Sequence, residues 1–146
     1  MDKVEFLILR NLLYNEEYLR KVIPFIKPEY FEDQKQKIVF EEILKFVGEY
    51  NQLVTKEALC IEIERRTDIT DDSFKDVVDL VTGLKNESSE SDWLVDTTEK
   101  WCRDRAIYLA LMDSIQIADG KEKEKGRDAI PSILSDALAV SFDNHI

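Results

Sequence analysis

Apolar residues recur along this chain at helical spacing, and no stretch alternates apolar and polar long enough to require a sheet. Asp2 is a natural cap for a helix through residue 14 that carries Phe6, Leu9 and Leu13, with Leu12, on one face. A short second helix over residues 16–23 stops near Pro24. The stretch PFIKPEYF, with two prolines and three aromatics, predicts a tight connection that drops Phe25, Tyr30 and Phe31 into the core. Residues 35–50 form a third helix, with Ile38, Val39, Ile43, Phe46 and Val47 on one side and Phe40 and Leu44 widening it. Thr55 opens KEALCIEIERR, where Leu59, Ile61 and Ile63 also alternate as in a strand; the cap and the charged ends favour a helix. Thr70 or Asp71 caps DSFKDVVDLVTGLK, in which Phe74, Val77, Val78, Val81 and Leu84 keep helical spacing and Gly83 stands near the end.

The polar run NESSES (86–91) has nothing to bury and reads as a linker. It divides the chain into a helical body over 1–85 and a second part over 92–146. Residues 92–118 meet no helix breaker before Gly120, which predicts a helix roughly 40 Å long. After the charged turn GKEKEKGRD comes AIPSILSDALAVSF, where Ile130, Ile133, Leu134, Ala137, Leu138 and Phe142 make one stripe and Pro131 sits in the first turn. Two such helices joined by a short polar turn form an antiparallel hairpin. The expected fold is all-α: a compact helical body followed by a long helical hairpin.

The long helix is apolar on more than one side. Leu94, Trp101, Tyr108 and Ile115 recur every seven residues, with Thr98, Arg105 and Met112 interleaved, as in a coiled-coil seam. This seam is expected to face the second hairpin helix. Ile107, Ala110 and Leu111 then lie on the other side, against either the body or another subunit.

Charge narrows the partners. The 146 residues carry a formal charge of −11, and basic residues gather only in KEKEKGR (121–127) and at Arg65–Arg66. A surface of this sign argues against sequence-specific DNA binding by the chain itself. Lys121, Lys123, Lys125 and Arg127 at the hairpin tip are either a solvated turn or a local nucleic-acid contact. Cys60 and Cys102 stand alone inside helical patterns and read as small buried hydrophobes of a reducing compartment. No apolar run approaches a membrane span and no signal peptide is visible, so a cytoplasmic location is expected.

Catalytic chemistry finds little to work with. The single histidine, His145, is the penultimate residue, which leaves no His-based triad and no Cys/His zinc set. Asp71–Asp72 look like a helix start and Glu41–Glu42 an exposed helix face. Gly120 and Gly126 bracket five residues and are followed by Arg-Asp, whereas a phosphate loop needs four and then Lys-Ser/Thr. No cofactor or metal is expected in this chain. A small enzyme built on a carboxylate cluster would need ordered acids in a pocket, which helix faces do not usually supply.

VEFLILRNLLYNEEYLRKVIPFIKPEYF resembles the opening of the N-terminal domain of DnaB-type replicative helicases. Glu5, Leu9, Leu12, Leu13, Asn15, Val22, Pro28, Glu29 and Phe31 fall at that family's spacing, followed by an aromatic-rich helix (KIVFEEILKFVGEY) and LVTKEALCIEI. WLVDTTEKWCRDRAIYLALMDSI, the turn ending in GRD, and AIPSILSDALAVSFD are similar to the family's hairpin, and the wording of these ends is most similar to the helicases of T4-like phages. Arg10 departs from the pattern, standing where cellular relatives usually carry Gly. The family's linker helix and ATPase domain do not appear before the sequence stops at SFDNHI, which implies a piece of a longer protein.

The resemblance implies a non-catalytic collar. Such domains pair through their hairpins, as dimers within a hexamer, above an ATPase ring that moves 5′ to 3′. They also offer a docking surface to primase and a helicase loader; ATP, Mg²⁺ and most single-stranded DNA contacts belong to the ring. The residues expected at the seam or subunit contact are Trp101, Arg105, Tyr108, Leu111, Met112, Ile133, Leu134 and Leu138, each of which also fits plain intramolecular core. The alternative is a freestanding helical accessory protein that binds a helicase or polymerase.

Overall fold

The computed structural model describes residues 3–87 and 89–142, and among these the chain forms seven α-helices, two short 3-10 turns and no strand. The expected cap Asp2 and the lone His145 lie outside the described residues. The helices are α1 (Lys3–Tyr14), α2 (Glu16–Val22), α3 (Gln34–Tyr50), α4 (Lys56–Glu64), α5 (Asp71–Gly83), α6 (Ser91–Ala118) and α7 (Ile130–Leu138). Contacts divide the chain into two units, residues 1–95 and 96–146. The division falls one turn into α6, which already begins at Ser91.

Four consecutive helices of the first unit start on a side-chain cap. Asn15 accepts from the Tyr18 amide, Asp33 from Lys35 and Gln36, Thr55 from Ala58, and Thr70 from Ser73, at 2.8–3.3 Å. Each pairs an amide that a helix start otherwise leaves orphaned, a contribution of about 1 kcal/mol per cap. The Thr55 cap decides the ambiguous stretch: KEALCIEIE is helical, with Leu59 and Ile63 on its buried face and Ile61 exposed. Asn51 stops α3 in the left-handed conformation, φ 52°, a cost that Asn tolerates better than most residues.

α3 is the hub of this unit, touching α1, α4, α5 and the Pro28–Tyr30 turn, while α2 packs on α1 and α4 on α5. Ile8, Leu9, Leu12, Leu19, Val39, Phe40, Ile43, Leu59 and Ile63 are wholly buried. Burial of each large side chain is worth about 2 kcal/mol, which lets helices of seven to nine residues persist. The PEYF turn behaves as expected in part. Tyr30 and Phe31 are buried, Phe31 packing on Phe40 at 5.2 Å between ring centroids, but Ile26 takes the inner position predicted for Phe25, which stays half-exposed.

The polar stretch after α5 lies along α1. Tyr14 donates its hydroxyl to the Leu84 carbonyl at 3.1 Å, Arg10 reaches Glu87 at 3.2 Å and the Ser89 hydroxyl at 3.1 Å, and the Asn11 amide also bonds Ser89 at 3.3 Å. Tyr14, Arg10 and Asn11 lie on neighbouring turns of one helix side, so the chain is met in antiparallel order. Arg10, which departs from the family pattern, supplies two of these bonds.

The second unit is an antiparallel hairpin. Gly120, at φ 72°, ends α6, and the Lys121 and Glu122 amides close back on the Gln116 carbonyl. A 3-10 turn (Arg127–Ala129) leads into α7 with Pro131 in its first turn. α7 stops at Leu138 rather than continuing through Phe142, so Val140, Ser141 and Phe142 run back along α6 outside any helix.

Candidate interaction face of the helical hairpin

Which side of α6 meets the returning chain is settled by bonds at both ends of the hairpin. Near the tip, Lys125 pairs with Asp113 at 3.3 Å and Arg127 donates to the Ala118 carbonyl at 3.1 Å. At the open end, Arg103 Nε donates to the Val140 carbonyl at 2.9 Å, and Glu99 accepts from the Phe142 amide at 2.6 Å and the Ser141 hydroxyl at 3.2 Å. Residues 99, 103, 106/107, 110, 113/114 and 117 follow one another at helical spacing. This is the α7 side, and Ala110, Ser114 and Ile117 on it are buried.

The expected seam is therefore corrected. Ile107 and Ala110 lie toward α7, while Tyr108, Met112 and Ile115, assigned to the seam by their seven-residue repeat, face away from it together with Leu111. These four side chains keep between 42 and 50% exposure and stand at i, i+3, i+4 and i+7, one continuous helical stripe. Leu138 on α7 is 64% exposed. The seven-residue repeat misled because α6 offers apolar residues on two sides, and periodicity alone does not say which side a short partner helix takes.

The remaining candidates divide accordingly. Trp101 is buried, Arg105 is half-buried with its guanidinium carbon 4.9 Å from the Tyr108 ring centroid, and Ile133 and Leu134 are half-buried. Arg105 shields one face of a tyrosine that otherwise sits in water. The four side chains from Tyr108 to Ile115 make a contiguous exposed apolar patch, a feature that on protein surfaces often marks an interaction site. At the tip, Lys125 and Arg127 are committed to α6, whereas Lys121 and Lys123 are exposed among Glu122 and Glu124. Sequence reasoning missed Glu99 and Arg103, because a Glu–Arg pair four apart is ordinary on a solvated helix.

Elsewhere, groups that resembled chemistry resolve into structure. Glu42 is buried, not on an exposed face as expected, because Arg66 reaches it at 2.8 Å and also holds Glu41 at 3.2 Å and Asp68 at 2.8 Å. The basic pair at 65–66 is thus consumed locally, Arg65 bonding Glu62. The hydrogen bond from Arg66 holds the Asp68 carboxyl below the usual carboxylate range, and the Asp68 bond raises the guanidinium further above its already high value. Asp71 and Asp72 occupy the first turn of α5, where acids suit the helix dipole. Burial pushes the Cys102 thiol up to about 12, and burial beside Glu57 raises Cys60, so neither is a ready thiolate. Among the described residues no group of acids, histidines or cysteines is arranged to hold a metal, and no helix is long and apolar enough to cross a membrane.

The fold and this face define an all-α chain whose hairpin presents an open apolar stripe. The chain is similar, at 32% identity over 148 aligned positions and 96% of its own length, to a protein named DnaB-like replicative helicase from Enterobacteria phage T4. It is a homologue of that helicase and matches an N-terminal-domain-like portion of it, spanning 31% of the relative's length. No family model matches the chain.

Proposed function

We propose that this chain is the non-catalytic collar domain of a hexameric replicative helicase, pairing subunits through its hairpins and docking primase at the fork. The observation that carries this reading is the stripe Tyr108–Leu111–Met112–Ile115, an apolar face left open in a homologue of a replicative helicase. In water such a face favours association, since covering apolar surface stabilises by about 25 cal/mol per Å² before the costs of association. Arg105 lies over Tyr108 of the stripe, and Trp101, Ile133, Leu134 and Leu138 of the same unit are the further residues proposed at the subunit contact. Two copies meeting along the stripe form an isologous pair, and three pairs close a ring. ATP, Mg²⁺ and the main grip on single-stranded DNA belong to the rest of the longer protein. Primase and a helicase loader are the proposed external partners, acting in the cytoplasm of the host.

The test is Leu111→Asp, followed by sedimentation velocity and circular dichroism. The expected result is a lower mass at matched concentration with the helical signal unchanged. A variant that keeps wild-type mass removes the stripe from the interface. So does one that loses its helices, because Leu111 would then belong to the core.

A further inference from the structure

Two short motifs of the sequence, Thr98-Glu99 in α6 and Val140-Ser141-Phe142 after α7, lie more than forty residues apart and meet in the structure. The Glu99 carboxylate accepts the Phe142 amide at 2.6 Å and the Ser141 hydroxyl at 3.2 Å, while Arg103, one turn on, bonds the Val140 carbonyl at 2.9 Å and stands 3.9 Å from Glu99. Three consecutive residues are thus gripped by one acid–base pair on a single helix turn. The apolar hold on α7 is thin by comparison: of its nine residues Ala137 alone is buried, and Leu138 is largely exposed.

We infer that Glu99 is a positioning residue of the hairpin, whose grip on residues 140–142 holds α7 on the side of α6 away from Tyr108–Ile115 and so keeps that stripe open. The consequence for association rests on the pairing reading above; the grip itself does not. A carboxylate suits this place because hydrogen bonds to a charged acceptor are the strong ones, and one oxygen of Glu99 accepts from both Ser141 and Phe142. Arg103 occupies the adjacent carbonyl, so the returning chain finds both an acceptor and a donor. The Ser141 hydroxyl donates a further hydrogen bond to the carboxylate. The exposure of the stripe is in this account set by where α7 is held, and a residue outside the stripe governs it.

The experiment compares Glu99→Ala, Glu99→Gln and Arg103→Ala in the 146-residue chain, reading hydrogen exchange at the Phe142 amide and the association constant by sedimentation. Glu99→Ala is expected to speed Phe142 exchange, and to weaken association, each by about tenfold or more, the loss of one hydrogen bond to a charged group. Glu99→Gln keeps an oxygen acceptor without its charge and is expected to fall between wild type and Glu99→Ala in both readings. Arg103→Ala should move both readings in the direction of Glu99→Ala, and it serves alone if Glu99→Ala fails to fold. Unchanged exchange in the alanine variants overturns the grip; faster exchange with unchanged association overturns its positioning role. Failure of the pairing reading shows separately, as a wild-type chain whose mass Leu111→Asp does not alter, and the exchange arm still decides the grip.

Discussion

Arg66 shows how one residue can spend several charges of an acidic chain. Its side chain is 15% exposed and holds Glu41, Glu42 and Asp68 at once, with Glu42 almost as buried as the hydrophobic core. The pairing is not a large net gain over apolar packing, but its removal would leave Glu42 charged in a poorly hydrated place. Arg66→Ala is expected to cost about 2 kcal/mol and lower the melting temperature by roughly 5–10 °C, less than for a fully buried pair because water reaches part of the cluster. Calorimetry at neutral pH checks this. The sign with pH follows from Asp68, whose carboxyl is lowered by Arg66. A group lowered in the folded state contributes fully above its unfolded value and loses that contribution as the pH falls through the folded one. The gap between wild type and Arg66→Ala should therefore narrow on acidification below the ordinary carboxylate range and stay constant above it.

At the scale of elements, α1 and α6 each do two jobs with two sides. α1 buries Ile8, Leu9, Leu12 and Leu13 while Arg10, Asn11 and Tyr14 bind residues 84, 87 and 89. Beyond the buried Leu84, Glu87 and Ser89 are thereby held through polar bonds, which open at smaller cost than packed core. Arg10→Ala is expected to make a glutamate-specific protease cut after Glu87 or Glu90 roughly fivefold faster, the worth of about one net hydrogen bond. Equal cutting rates would mean that these bonds hold nothing. α6 turns Glu99, Arg103, Ala110, Asp113 and Ile117 toward the returning chain and leaves Tyr108, Leu111, Met112 and Ile115 outside. A 28-residue helix against a nine-residue partner has more apolar surface than that partner can cover. The surplus is a matter of length as much as of composition.

For the whole molecule the balance is between a formal charge of −11, which repels a second copy, and an apolar stripe, which attracts one. Salt separates the two. Added ions screen the repulsion between exposed charges but leave burial of the stripe almost untouched. Raising sodium chloride from about 0.05 M to about 0.5 M, a change in Debye length from about 14 Å to about 4 Å, should therefore strengthen self-association or leave it level. A steep loss of mass with salt would assign association to ion pairs and away from Tyr108–Ile115. Homology to a replicative helicase over nearly the whole chain sets the frame in which either outcome matters, because the chain spans under a third of that relative.

Local signals were sufficient for the elements. Asn15, Asp33, Thr55 and Thr70 start helices through bonds to amides two or three residues away, and Asn51 and Gly120 end them with a left-handed turn, so these choices are made within one stretch of chain. The order of apolar helices likewise carried the all-α fold and the helicase resemblance. Tertiary structure alone decided three other things. It buried Glu42 by bringing Arg66 from 24 positions away, it chose which of two apolar sides of α6 faces α7, and it joined Glu99 to Phe142. Each depends on contact between distant residues, where a one-dimensional pattern offers several pairings of similar merit. The hydrophobic effect has no direction of its own, so the sequence determined how much of α6 must be covered, and the placement of α7 determined which part was left open.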